Sequence, residues 1–369
     1  MYFCKNFGVV KKKSLLFLCL MVALITMKNG NLLAQTSGSG TSVFHFMELP
    51  VSARLNALGG SNVAIDNGDI SMSVTNPALL SQKTHNMCQL NYCRYTSWVN
   101  MGSALFGHNF SRSKLEQPTK HDSLFSRPNY FAVSFQFVSY GKMTYTDENG
   151  IKGGDFTATD MVISATYARP LSRLFTVGVA LKPIYSVYES YHSFALGADI
   201  GGHYHTHDGT FQLGLTLRNI GWQLKGFYSQ EGGQHTEKLP LNLELGWAYK
   251  VDKAPFRIGM TLHNLQRLHL GYGVDANEAS IEWYDMLFRH TIFYVDVVPQ
   301  SDKFYLTLSY NHRRNRELRL ASARSLAGIA MGGGMRIKQF GVDFAVSQLN
   351  KRNISFHLGL SMNINDLLK

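Results

Sequence analysis

The stretch 130-YFAVSFQFV-138 alternates without a break. In an extended chain Phe131, Val133, Phe135 and Phe137 share one face, while Ala132, Ser134 and Gln136 share the other. A helix, with its period of 3.6, does not sort residues this way. The same pattern recurs down the chain. In 193-SFALGADIG-201, Phe194, Leu196, Ala198 and Ile200 oppose Ala195, Gly197 and Asp199. In 241-LNLELGWAYK-250, Leu241, Leu243, Leu245, Trp247 and Tyr249 oppose Asn242, Glu244, Gly246, Ala248 and Lys250. In 256-FRIGMTLH-263, Phe256, Ile258, Met260 and Leu262 oppose Arg257, Gly259, Thr261 and His263. Near the end, Ile354, Phe356, Leu358, Leu360 and Met362 oppose Ser355, His357, Gly359 and Ser361.

Alternation alone fits a soluble sandwich as well as a membrane barrel. Three details favour the barrel. The runs reach about ten residues, the length a tilted membrane strand needs, against roughly five or six in ordinary strands. Their polar faces are Gly, Ala, Ser and Thr with occasional Asp, Glu and Arg, which suits a lumen. Tyr167, Tyr185, Tyr188, Trp247 and Tyr249 fall toward the ends of runs, where interfacial girdles lie. A closed barrel also leaves no strand edge in lipid. The spacing predicts an all-β, antiparallel outer-membrane barrel of about fourteen strands. They lie near 87–97, 99–110, 129–146, 153–168, 174–188, 191–205, 210–219, 239–251, 255–264, 289–298, 303–312, 327–337, 339–348 and 353–363.

An even count returns the chain to the side it started from, the periplasm in bacterial barrels, so with the first strand rising the even-numbered connections are periplasmic, and connection lengths follow this parity. Those after the fourth, sixth, eighth, tenth and twelfth runs are short, as periplasmic turns should be. Those after the seventh, ninth and eleventh, near 220–238, 265–288 and 313–326, are long and belong outside the cell. Ser111–Pro128, an even connection, is long and breaks the rule.

The first residues read as a secretory signal peptide spanning 1–34. Lys11, Lys12 and Lys13 form a basic start, Ser14 to Met27 an apolar stretch too short to span a bilayer, and Ala34 a cut site. That segment carries five lysines and no acid, so its removal takes the formal charge from +11 to +6. The mild excess suits phosphate-rich lipid and is no nucleic-acid signature. Residues 35–86 form a linker and hatch ahead of the barrel at 87–369. Cys88 and Cys93, five apart on one strand, face opposite sides and do not bridge. No Cys/His spacing suggests zinc.

One segment breaks the alternation: 51-VSARLNALGGSNVAIDNGDISMSVTNPALL-80. About two helical turns stop at Gly59-Gly60, Asp66 to Asp69 make a turn, and Asn76-Pro77-Ala78 starts another. Ala53-Arg54, the Gly pair, the acidic turn and Asn76-Pro77-Ala78 together resemble the start of the PorV/PorQ family of type IX secretion outer-membrane proteins, themselves similar to FadL-type barrels. The stretch 289-RHTIFYVDVVPQSDKFYLTLSYNHRRNREL-318 looks most like its PorQ branch. The resemblance implies a fourteen-stranded barrel with the N-terminal segment folded inside as a hatch, Arg54, Gly59, Gly60, Asn76 and Pro77 among its residues. It further implies a non-enzymatic role: holding a PorZ-like surface protein in the attachment complex with the PorU/PorV sortase, which fixes cargo to lipopolysaccharide. The C-terminus departs from barrel habit, ending Asp366-Leu367-Leu368-Lys369 rather than on an aromatic residue.

Chemical motifs are absent from the sequence: no GxSxG, HExxH or Walker loop. No catalytic residue, cofactor or metal ligand is therefore assigned. Asp199, Glu244, Arg218 and Arg257 fall on lumen faces, where charges of this kind pair with one another or with a plug. Arg54 is placed to reach a wall carboxylate. His203, His205 and His207 share the i, i+2, i+4 spacing that can hold a metal, but they run into the Asp208-Gly209 turn and read as solvated. Arg313, Arg314, Arg316, Arg319 and Arg324 face one acid, Glu317, and their guanidinium forks suit phosphate or an acidic partner. The alternative is a FadL-like transporter of hydrophobic small molecules, with Gly332-Gly333-Gly334 bending a strand to open a side gap.

Overall fold

Two-residue periodicity becomes fourteen paired strands. The computed structural model describes residues 42–110, 128–227, 229–230, 233–234, 236–267, 282–299, 303–318, 326–350 and 353–366. The strands are β1 (Met87–Arg94), β2 (Asn100–Phe110), β3 (Asn129–Thr146), β4 (Lys152–Pro170), β5 (Phe175–Tyr188), β6 (Tyr191–His205) and β7 (Phe211–Lys225). They continue as β8 (Asn242–Lys250), β9 (Phe256–Leu262), β10 (Thr291–Val297), β11 (Phe304–Asn311), β12 (Ile329–Ile337), β13 (Phe340–Gln348) and β14 (Ile354–Asn363). Each pairs antiparallel with the next, and β14 closes on β1 with Met87 opposite Asn363 and Arg94 opposite Phe356. Closure leaves the barrel wall no free edge. Among the described residues three short α-helices accompany it: α1 (Ala53–Ala57), α2 (Trp283–Arg289) and α3 (His312–Leu318).

Strand ends depart from the sequence expectation where local geometry intervenes. β7 runs on to Lys225, past the predicted end at 219, because a bulge at Asn219 (φ 58°) shifts the register and lets pairing resume. β3 and β4 outrun their neighbours: β2 pairs β3 only as far as Ser139, and β5 pairs β4 only from Ala158. Their outer parts form a two-stranded hairpin above the rim. Residues 313–318, expected within a loop, are helical in α3. The anomalous connection at 111–127 and the leader at 1–34 lie outside the described residues.

The wall sorts as the alternation requires. Leu90 (60%), Ile200, Leu215, Leu306 (58%), Phe344 and Leu358 stay exposed on the outer face. Asp199, Thr216, Glu244, Thr261 and Asp296 are buried on the inner one. A soluble protein does not leave so wide an apolar belt in water; lipid is the solvent that suits it. Tyr185 and Tyr249 point outward as expected. Tyr188 does not: it sits two residues beyond inward Ser186, and its hydroxyl donates to Asp160 at 2.9 Å.

Residues 42–86 occupy the lumen, and the hydrophobic core forms there. Leu55, Leu58, Ile65, Met72 and Leu79 pack with Ala248 and Tyr294 of the wall. The path starts at the end carrying α2 and α3, the loop end, where the Val43 amide donates to the Lys238 carbonyl at 3.1 Å. It leaves at the turn end, where the Asn86 carbonyl accepts from Ile364 at 2.9 Å. Wall glycines make room. A Cβ on Gly214 would overlap the Val63 carbonyl, and one on Gly178 the backbone of Pro77. Gly214 and Gly178 thus admit backbone from the segment, which close packing would otherwise exclude.

Candidate functional site

The interface between the N-terminal segment and the wall carries the buried chemistry. Its centre is α1. Ser52 caps the helix by accepting from the Leu55 amide at 3.1 Å. The helix ends after five residues, shorter than the two turns expected, in a Schellman pattern: Gly60 N–H reaches the Leu55 carbonyl (2.9 Å) and Gly59 N–H that of Asn56 (3.0 Å). Gly59 and Gly60 take φ of 85° and 109°, values that favour glycine. A side chain at Gly59 would also strike Ile292, and one at Gly60 the Arg314 guanidinium.

Arg54 is fully buried and meets β10 and β11. Its two terminal nitrogens donate to the two Asp296 oxygens, at 3.1 and 2.7 Å, in a bidentate fork. Nη1 also bonds Thr307, which in turn donates to Asp296 at 2.5 Å. The guanidinium lies 4.0 Å from the Tyr305 ring centroid, and Arg257 approaches the same carboxylate at 3.5 Å. A second anchor is Glu244, which accepts from Ser61 at 2.5 Å and from Arg218 at 3.2 Å. Arg218 also reaches the Met47 carbonyl at 3.3 Å. A further ion pair joins Lys182 and Asp199 within the wall. Asn76 caps the turn at Pro77 through the Ala78 amide at 3.0 Å and donates to Val63 and, on the wall, Gly202. His203 hydrogen-bonds the Ala64 carbonyl at 2.8 Å. Neither His205 nor His207 joins it around a common centre; among the described residues no group of three metal-ligating side chains forms.

Sequence reasoning named Arg54, Arg218, Arg257, Asp199 and Glu244 but missed Asp296, Lys182, Tyr305 and Thr307. Asp296 left a signal. It is the lone acid of 291-TIFYVDV-297, on the inward face, and an inward acid needs a cation. Which cation was not visible, because Arg54 lies 242 residues away.

Among the described residues little space remains at mid-height. Two cavities of about 10 Å³, one beside Ser164 and Lys182 and one beside Cys93 and His357, each take one water at most. Cys93 Sγ stands 3.2 Å from His357 Nε2, a nucleophile–base spacing, but the cavity there admits no substrate. At the turn end a polar vestibule of about 200 Å³ is lined by Asp66, Lys83, Lys250, Lys303, Arg336 and Asp343.

At the loop end Asp285 joins α2 to α3. It accepts from Arg289 (2.9 Å), His312 (2.9 Å) and Arg316 (2.6 Å). Burial opposes ionisation there, yet these donors outweigh it and hold the carboxyl down at about 2. Arg313 pairs with Glu317 at 2.6 Å. Arg314 lies against Gly60, so it faces the N-terminal segment. The three described arginines of the basic stretch are therefore engaged within the chain. Arg319 and Arg324 lie outside the described residues.

No family model and no curated relative matches the sequence. Solved structures do. The TodX monoaromatic hydrocarbon channel, in a deltaS2 mutant, aligns at a TM-score of 0.52 and 11% identity over 86% of this chain and 98% of that one. The P. putida toluene transporter TodX aligns at 0.49 and 12%, over 86% and 99%. A Pseudomonas aeruginosa FadL homologue aligns at 0.44 and 11%, over 80% and 94%. At these identities the likeness is one of fold: a closed fourteen-stranded barrel with FadL-like outer-membrane barrels as structural neighbours.

Proposed function

We propose that the chain is a non-enzymatic outer-membrane barrel of the PorV/PorQ kind, closed by residues 42–86, whose loop face holds a PorZ-like surface protein. In that role it would act beside the PorU/PorV sortase complex and fix cargo to lipopolysaccharide. The leader, the apolar outer belt and the even strand count support the outer-membrane location. The sequence resemblance supplies the secretion role. The observation that carries the closed platform is the filled lumen, whose mid-height cavities take one water each. The test deletes residues 313–326 and follows both barrel insertion and the surface partner. The barrel should insert and the partner should be lost. Normal partner levels at the surface would refute the anchoring role.

A second reading, transport of hydrophobic small molecules, has the fold comparison on its side. Its side gap does not form at Gly332-Gly333-Gly334, which pair unbroken with β11 and β13. Gly332 faces α1, where a Cβ would strike Ala57. The interruption lies in β5 instead. Pro183 has no N–H, and Ile163–Ser164 drop out of pairing with Lys182–Pro183 although the register continues on both sides. Liposomes carrying the purified barrel separate the two readings. A closed platform passes no current and takes up no hydrophobic probe, whereas a transporter shows saturable uptake.

A further inference from the structure

The helix α2 is too apolar for a loop in water. Trp283 (75% exposed), Tyr284 (50%), Leu287 (54%) and Phe288 all lie open. On a helix they occupy adjoining positions, while Asp285, held by Arg289 four residues on, turns the other way onto α3. This orientation is not left to chance, because Asp285 ties α2 to α3 through two side chains of α3, His312 and Arg316.

The apolar face continues a surface already described. The Phe288 ring stands 6.1 Å from that of Phe293, the first outward residue at the loop end of β10. Phe293 pairs across the strands with Tyr310, whose hydroxyl bonds His312 of α3. The patch is thus the upward extension of the lipid-facing belt at the height where Trp and Tyr gather. We infer that α2 is an in-plane foot resting in the outer leaflet, with Trp283, Tyr284, Leu287 and Phe288 at the boundary between headgroups and acyl chains. The inference rests on the barrel lying in a membrane. Its consequence is mechanical: a foot in lipid, bolted through Asp285 to α3, holds the loop-end helices at a set height above the bilayer.

The test uses full-length mature protein in liposomes and two single-tryptophan variants, one keeping Trp283 and one keeping Trp222. Trp222 is 63% exposed on the outer wall and serves as the internal standard. Lipids brominated near the headgroup should quench Trp283 about as strongly as Trp222, and aqueous iodide should quench it weakly. Adding Asp285→Asn should free α2 and raise the iodide quenching of Trp283 severalfold while leaving Trp222 unchanged. Failure of both tryptophans to respond to lipid bromine would overturn the membrane barrel itself. Quenching of Trp222 alone, with Trp283 open to iodide, would overturn the foot and leave the face to a soluble partner. Trp283 silent to both quenchers would overturn it as well, since another part of this chain would then cover the face.

Discussion

Replacing Arg54 by alanine should loosen the N-terminal segment without opening the barrel wall. The side chain makes a bidentate ion pair with Asp296, a bond with Thr307 and a contact with the Tyr305 face. Hydrogen bonds to charged groups contribute roughly 1.5–3 kcal/mol each and a desolvated cation–π contact about 2. These terms do not add, and the larger loss is the buried carboxylate left behind. Breaking a buried pair from one side costs roughly 3–5 kcal/mol. Here the low end applies, because Arg257 remains 3.5 Å from Asp296 and Thr307 still donates to it at 2.5 Å. About 3 kcal/mol corresponds to a roughly 150-fold rise in local opening. The assay is hydrogen exchange at the Leu58, Gly59 and Gly60 amides, all bonded within the α1 cap. Arg54→Lys keeps the charge but not the fork and should fall between wild type and alanine. Alanine at both Arg54 and Asp296 should cost less than the two single changes together. A change below about threefold in Arg54→Ala, equivalent to ~0.7 kcal/mol, would refute the view that this pair seats the segment.

Gly214→Ala should unseat the segment more severely, since its Cβ would overlap the Val63 carbonyl, whereas Gly154→Ala, with nothing within 4 Å, should change stability by less than about 0.5 kcal/mol; thermal unfolding in detergent compares the two. The α2–α3 junction should weaken in acid. The Asp285 carboxyl sits at about 2 in the folded protein against 3.8 ordinarily, so its contribution is complete above about 3.8 and lost as pH falls through about 2. That contribution is about 1–2 kcal/mol once screening at the rim is allowed for, and exchange of the α2 amides between pH 5 and pH 2 should report it. Finally, an epitope inserted ahead of Ser42 should be read on intact cells, because the segment meets Lys238 at the loop end, while one placed after Lys369 should be read only once the outer membrane is permeabilised.

Much of the barrel was legible in the residues themselves. A strand's side chains alternate by geometry, so Phe131 to Phe137 or Ile354 to Met362 declare their two faces with no knowledge of a partner. Tyr188 misled because two residues of one type serve both faces near a rim, and only the neighbouring Asp160 decides which. The end of β7 misled because a bulge is a pairing event and leaves no periodic trace. Within the candidate site, Arg54 and the glycine pair stood out as breaks in an alternating chain, but Asp296, Thr307 and Tyr305 did not.

By itself, then, the chain's pattern determined the class of wall, a count of about fourteen strands, and the fact that residues 51–80 obey a different rule. Tertiary structure alone decided what the inward charges meet. Arg54 finds Asp296, Ser61 finds Glu244, and Asp285 gathers Arg289, His312 and Arg316. The reason is physical. Alternation is local and repeats every two residues, whereas an ion pair inside a closed barrel depends on closure, on stagger between strands and on the path of a segment threaded through the middle. None of these is written at any one position.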